Sequence, residues 1–90
     1  MHRFEIKPTL GKILKKLYKK DRPLYEQVMD KIDEIVNCYD VEHYKNLRHD
    51  MKDSKRVHIG HFVLIFSYDK TQDMISFEFL GHHDEVYTSR

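Results

Sequence analysis

Arg56, His58 and His61 bracket the start of one apolar run, and His82, His83 and Tyr87 follow the end of another. An apolar strand needs none of these proton-carrying groups in order to fold, so their gathering at its ends points to chemistry. Metal-free cleavage of a phosphodiester asks for a base to take the proton of a ribose 2′-hydroxyl, cations to neutralise the phosphorane, and an acid to protonate the departing 5′-oxygen. His58, His61, His82 and His83 are candidates for the proton transfers, because an unperturbed histidine titrates near ~6.5. Arg56, Lys52 and Lys55 are candidates for holding phosphate, Arg56 with a bidentate fork. Tyr87 suits either an acid or a ring on which a base stacks. Taken singly, each has a plainer role: His58 as a strand side chain, His61 as a solvated turn residue, Tyr87 as packing for the C-terminal tail, and Glu78 as a surface carboxylate. Their convergence on adjacent strands is what argues for a site.

Seven histidines also raise the question of a metal. His58 and His61 are three apart and His82 and His83 adjacent, and on a strand odd offsets point to opposite faces. No Cys-x-x-Cys or His-Glu-x-x-His spacing is present, and Gly11, Gly60 and Gly81 stand too far apart for a phosphate loop. The sequence therefore predicts no metal, no cofactor and no small-molecule ligand.

The elements that must position these groups are legible in the hydropathy pattern. His2 to Lys7 alternates and reads as a short strand with Phe4 and Ile6 inward. Pro8 suits the first turn of a helix, and Leu10, Ile13, Leu14, Leu17 and Tyr18 then make one apolar stripe. Lys12, Lys15, Lys16 and Lys19 fall largely off that stripe. Asp21 reads as the N-cap of a second helix, with Pro23 in its first turn and Leu24, Val28, Ile32, Ile35 and Val36 on its buried face, ending near Cys38. So short a joint predicts an antiparallel helix hairpin. Beyond Tyr44 the period becomes two. Arg56–Ile59 reads as a strand, Gly60-His61 as a turn or bulge, Phe62–Phe66 as a central strand covered on both faces, and Met74–Leu80 as a strand with Ile75, Phe77 and Phe79 toward the helices. The order β-α-α-β-β-β predicts an α+β fold in which a helix pair covers a three-stranded antiparallel sheet.

Length and charge narrow the function classes. Ninety residues make one domain over 1–90, hiding ~60–65% of the unfolded surface. Mean hydropathy is −0.72 and no stretch is long enough to span a membrane. No charged-then-apolar leader precedes the first strand, and the lone Cys38 suits a reducing compartment, so a cytoplasmic protein is expected. The net charge of +1 hides an asymmetry. Residues 1–20 carry +6, residues 21–56 carry −2 and residues 57–90 carry −3. A positive field at one end of a small domain attracts polyanions, although a lysine-rich helix face is also an ordinary solvated surface.

Lys45-Asn46-Leu47, Arg56-x-His58-x-Gly60-x-Phe62 and Gly81-His82-His83-Asp84-Glu85-Val86-Tyr87 together resemble the RelE/StbE-type toxins of bacterial and archaeal toxin–antitoxin pairs. The family's usual wording is Arg-x-Arg-x-Gly-x-Tyr-Arg followed by Gly-His-Arg-x-x-Val-Tyr. The resemblance covers essentially the whole chain. It implies a toxin that cuts mRNA in the ribosomal A site without a metal and is silenced by a cognate antitoxin. It places Tyr87 on the family's terminal tyrosine, His83 where many members carry arginine, and Arg56 and His58 on the two motif arginines. Val63 departs from the pattern, standing where many members have a catalytic arginine, and the near-neutral charge departs as well. A histidine-centred site would then replace an arginine-centred one, with Arg56, His58, His83 and Tyr87 catalytic. Lys12, Lys15, Lys16, Lys19, Lys52, Lys55, His61 and His82 would lie against RNA of the ribosome and its mRNA. Two alternatives share the fold: a ParE-like inhibitor of gyrase, and a degenerate toxin kept as an antitoxin-binding module.

Overall fold

The computed structural model describes residues 1–45 and 54–88, with Tyr87 and Thr88 described by backbone alone. Its elements run β1 (Arg3–Ile6), α1 (Pro8–Lys20), α2 (Arg22–Val36), a 3-10 turn (Val41–His43), β2 (Ser54–Ile59), β3 (Phe62–Asp69), β4 (Met74–His82) and α3 (His83–Thr88). Asp21 alone joins the two long helices. Its backbone N–H closes α1 on the Leu17 carbonyl at 2.8 Å, and its carboxylate caps α2 by accepting from the Leu24 N–H at 3.2 Å. The helices present Leu10, Leu14, Val28, Ile32, Ile35 and Val36 to one face of the sheet, where Leu64, Phe66, Ile75, Phe77 and Leu80 meet them. Each such side chain contributes roughly 1.5–3 kcal/mol by leaving water.

The sheet has four strands in the order β1-β4-β3-β2, with β1 parallel to β4 and the other pairs antiparallel. This corrects the expected three-stranded antiparallel sheet. The outer side of β4 would otherwise expose a row of unpaired backbone groups, and β1 covers it. The Lys7 N–H continues the join to the Phe77 carbonyl at 2.9 Å, and the His2 N–H reaches the Val36 carbonyl at 2.9 Å. The His2 ring ties the strand down further, Nδ1 facing Asp73 Oδ1 at 2.5 Å and Nε2 the Cys38 carbonyl at 2.6 Å. Phe4 and Ile6 do share the helix-facing side with their partners Ile75 and Phe77, and Phe4 packs edge-on to Phe77 at 6.0 Å, but on an edge strand they remain 46% and 36% exposed.

A second correction lies in β4. The register steps from Ile65↔Phe79 to Phe66↔Phe77, leaving Glu78 opposite no residue. One extra residue inverts the alternation, so beyond the bulge Leu80, 4% exposed, takes the helix-facing row, while Phe79 turns to the other face. Gly60 supplies the φ of +62° that the tight β2–β3 turn requires. Residues 83–88, expected as a tail, form α3.

Tyr44, just after the 3-10 turn, packs its ring edge-on to Phe66 at 5.7 Å and donates its hydroxyl to Glu34 Oε2 at 3.2 Å. Burial first, and the Glu34 charge second, push its phenol up to about 12. In the unfolded chain the same phenol titrates near ~10. Between those values the folded form holds a proton that the unfolded form has released, so stability falls as pH rises through the interval. Tyr44→Phe should flatten that alkaline loss in denaturant titrations run at several pH values. Gly81 generates a second expectation. A Cβ there would sit 2.6 Å from Phe79 Cε2 and 2.9 Å from Glu85 Oε1. Gly81→Ala should therefore destabilise the fold by ~1–3 kcal/mol, read as a melting temperature lower by roughly 5–15 °C.

Candidate active site

One face of the sheet is committed to the helices, and the other carries Arg56 and His58. Residues pairing across the strands share a face, so His58, Val63 and Gly81 form one row and Arg56, Ile65 and Phe79 the next. His58 and Arg56 are two apart on β2 and project the same way. The chain then turns at Gly81-His82 into α3, whose first residue is His83. Its backbone N–H donates to the His61 carbonyl at 2.8 Å, pinning the helix start to the β2–β3 turn. That pin brings the His83 ring onto His58, with centroids 5.5 Å apart and planes 30° off parallel. Asp84 Oδ1 stands 3.6 Å from His83 Nδ1 and can orient the ring.

The second histidine pair forms at the same end of the sheet but on its other face, since His82 pairs with Phe62 in the row alternate to Val63 and Gly81. His61 and His82 stack at 6.1 Å, 13° off parallel, and His82 Nδ1 accepts from the Asp84 N–H at 3.3 Å. Sequence neighbours thus part company, as expected from their odd offsets: His58 meets His83, and His61 meets His82. All four rings are exposed, whereas Arg56 is half-buried. Among the described residues, no three His, Cys, Asp or Glu side chains converge as a metal site would need, and no helix is long and apolar enough to cross a membrane.

The structure separates the remaining candidates. Lys55, one residue from Arg56, takes the helix-facing side, is 6% exposed and donates from Nζ to the Tyr44 carbonyl at 3.4 Å. Lys12, Lys15, Lys16 and Lys19 are exposed on α1, in the helical layer on the far side of the sheet from Arg56 and His58. Lys52, Asn46 and Leu47 lie outside the described residues. Tyr87 falls on α3 one turn after His83, and its side chain is likewise outside them. Val63 has no exposed surface and forms the apolar floor between His58 and Gly81. The helical start at His83 has a signal in the sequence, because acidic residues at Asp84 and Glu85 suit a first helical turn. Glu78, held by the Ser67 hydroxyl at 2.9 Å, became half-buried only through the bulge.

No family model matches the chain. It is, however, 42% identical to a protein of Methanocaldococcus jannaschii named "Putative toxin RelE4", over all of this chain and 95% of that one. An uncharacterized protein of Methanosarcina mazei is 39% identical, over 97% of this chain and all of that one. Among solved structures, the isolated E. coli RelE toxin superposes with a TM-score of 0.69 at 17% identity, covering 98% of this chain and 93% of that one. A doubly arginine-to-alanine variant of the same toxin in the free state gives 0.69 at 18% identity, over 97% of this chain and 90% of that one. The two structures share the four-stranded fold, and the full-length identity to the archaeal protein carries the kinship: the chain belongs to the RelE family of toxins.

Proposed function

We propose that this chain is the toxin of a toxin–antitoxin pair, acting as one domain and cutting mRNA on the ribosome by attack of a ribose 2′-hydroxyl on the adjacent phosphate. The observation that carries this reading is the His58–His83 stack, 5.5 Å between ring centroids, with Arg56 two residues along the same face. Two imidazoles that close can both reach one phosphodiester laid along their edges: one takes the 2′-proton and the other returns a proton to the 5′-oxygen. The Arg56 guanidinium offsets the charge that builds on phosphorus, and Asp84 orients His83. Tyr87 is assigned as an acid or a stacking ring. The products are a 2′,3′-cyclic phosphate, or its opened form, and a 5′-hydroxyl. No metal or cofactor enters this chemistry.

The ribosome completes the site. The cationic face of α1, where Lys12, Lys15, Lys16 and Lys19 point away from the buried Leu10 and Leu14, lies against ribosomal RNA. An antitoxin with an acidic segment is the fitting silencer. One observation favours a second reading. Val63 is wholly buried, so no cation rises from the floor where the family's usual arginine stands, and that suits a toxin fold kept for binding alone or a gyrase inhibitor. RNA-end mapping after induction separates the readings, because only the nuclease leaves translation-dependent cuts in mRNA.

Replacing His83 or Tyr87 by alanine should each lower cleavage on ribosomes by at least ~10²-fold, the usual size of a lost proton-transfer group. Melting should barely change for His83→Ala, since that ring is exposed. Equal toxicity of folded parent and variants would sink the assignment. Changing Lys12, Lys15, Lys16 and Lys19 together to glutamate should abolish co-sedimentation with ribosomes, and binding by the parent should weaken steeply with salt. Salt-insensitive binding retained by the charge-reversed form would show that this face is only solvated.

A further inference from the structure

A groove of about 450 Å³ opens beside the histidine stack, lined by His43, Tyr44, Lys45, Arg56, Val57 and His58. Its size falls within the range of small-ligand sites. It shares Arg56 and His58 with the candidate active site and extends away from it toward the 3-10 turn, so whatever lies across the stack continues into it. Among these lining residues are two fixed cations and two imidazoles and no carboxylate. The far wall is aromatic. The His43 ring lies over Tyr44 with centroids 4.1 Å apart, and its Nδ1 is engaged by the Asp40 carbonyl. The Tyr44 hydroxyl is turned away to Glu34. His43 Nδ1 and the Tyr44 hydroxyl are thus both engaged, which holds the rings in place. The Arg56 N–H donates to the Lys45 carbonyl at 2.9 Å, which fixes the spacing of the two cationic residues across the groove.

We propose that this groove is a nucleotide subsite, in which the His43 and Tyr44 rings stack a base and Lys45 holds a phosphate of the residue next to the cleaved linkage in single-stranded RNA. A rigid aromatic face beside a cation is what sequence-tolerant single-strand binding uses, because every base offers a π-face. The proposal rests on the nuclease reading for its substrate, and Lys45 and His43 are binding residues that take no part in proton transfer.

The probe is a hexaribonucleotide 2′-O-methylated throughout, which cannot be cleaved because it lacks the attacking hydroxyl. Titrated into the ¹⁵N-labelled protein, it should shift the amides of Tyr44, Lys45 and Val57. By fluorescence anisotropy, His43→Ala and Lys45→Glu should each weaken it by at least ~10-fold, while His43→Phe, which keeps the ring, should stay within roughly threefold of the parent. Circular dichroism confirms that each variant is folded. The proposal is overturned if the parent does not bind the hexamer, if the shifts fall only on the α1 lysines, or if His43→Ala and Lys45→Glu bind like the parent. Cleavage on ribosomes, measured in parallel, keeps the two ideas apart. A parent that leaves mRNA intact yet shows the expected binding losses would remove the nuclease reading and leave the groove standing. Cleavage by a parent whose His43 and Lys45 variants bind undiminished would do the reverse.

Discussion

The pairing of β3 with β4 is the constraint on which the rest depends. These are the two inner strands, and each must satisfy its backbone on both sides while burying apolar side chains against α1 and α2. The bulge at Glu78 lets both demands be met. Without it, the alternation that puts Ile75 and Phe77 into the core would send Leu80 and Gly81 the wrong way. With it, Leu80 reaches the helices, and Gly81 comes to lie in the same row as Val63 and His58. The absence of a side chain at Gly81 then lets Phe79 and Glu85 close in. The start of α3 can thus settle on the β2–β3 turn, and from that contact follows the meeting of His83 with His58.

The face opposite the helices therefore differs in kind from a core. Val63 gives it a dry floor, and the exposed imidazoles stand above that floor at the rim. Charge developing near such an apolar base is less screened than in open water, which strengthens the hold of the Arg56 guanidinium on an anion. A buried valine beneath two stacked histidines is also a coherent alternative to an arginine emerging from the same strand.

Positive charge is divided between two sides of the molecule. The lysines of α1 face outward from the helical layer, whereas Arg56, His58 and His83 occupy the opposite face of the sheet. A partner that meets both must be large or must wrap around, as a ribosomal cleft or an extended polypeptide can. Lys55 shows how sharply the sheet sorts its side chains. One residue from Arg56, it is turned inward to the Tyr44 carbonyl and away from the face that Arg56 occupies.

The local elements were legible in the sequence because they depend on near neighbours. The apolar stripes, the Asp21 cap, Pro8 and Pro23 in first turns and the Gly60 turn each follow from contacts within a few residues. The divergence of neighbouring histidines was legible too, since odd offsets point apart, but which rings meet depended on where α3 docks. Three features depended on tertiary structure. β1 was recognisable as a strand, but its edge position, its parallel partner and the exposure of Phe4 and Ile6 came from the open side of β4, far along the chain. The bulge came from fitting β4 against β3, which no periodicity within β4 reveals. The helicity of residues 83–88, and with it the contact of Asp84 with His83, came from docking on the β2–β3 turn, because so short a helix has too few internal hydrogen bonds to stand alone.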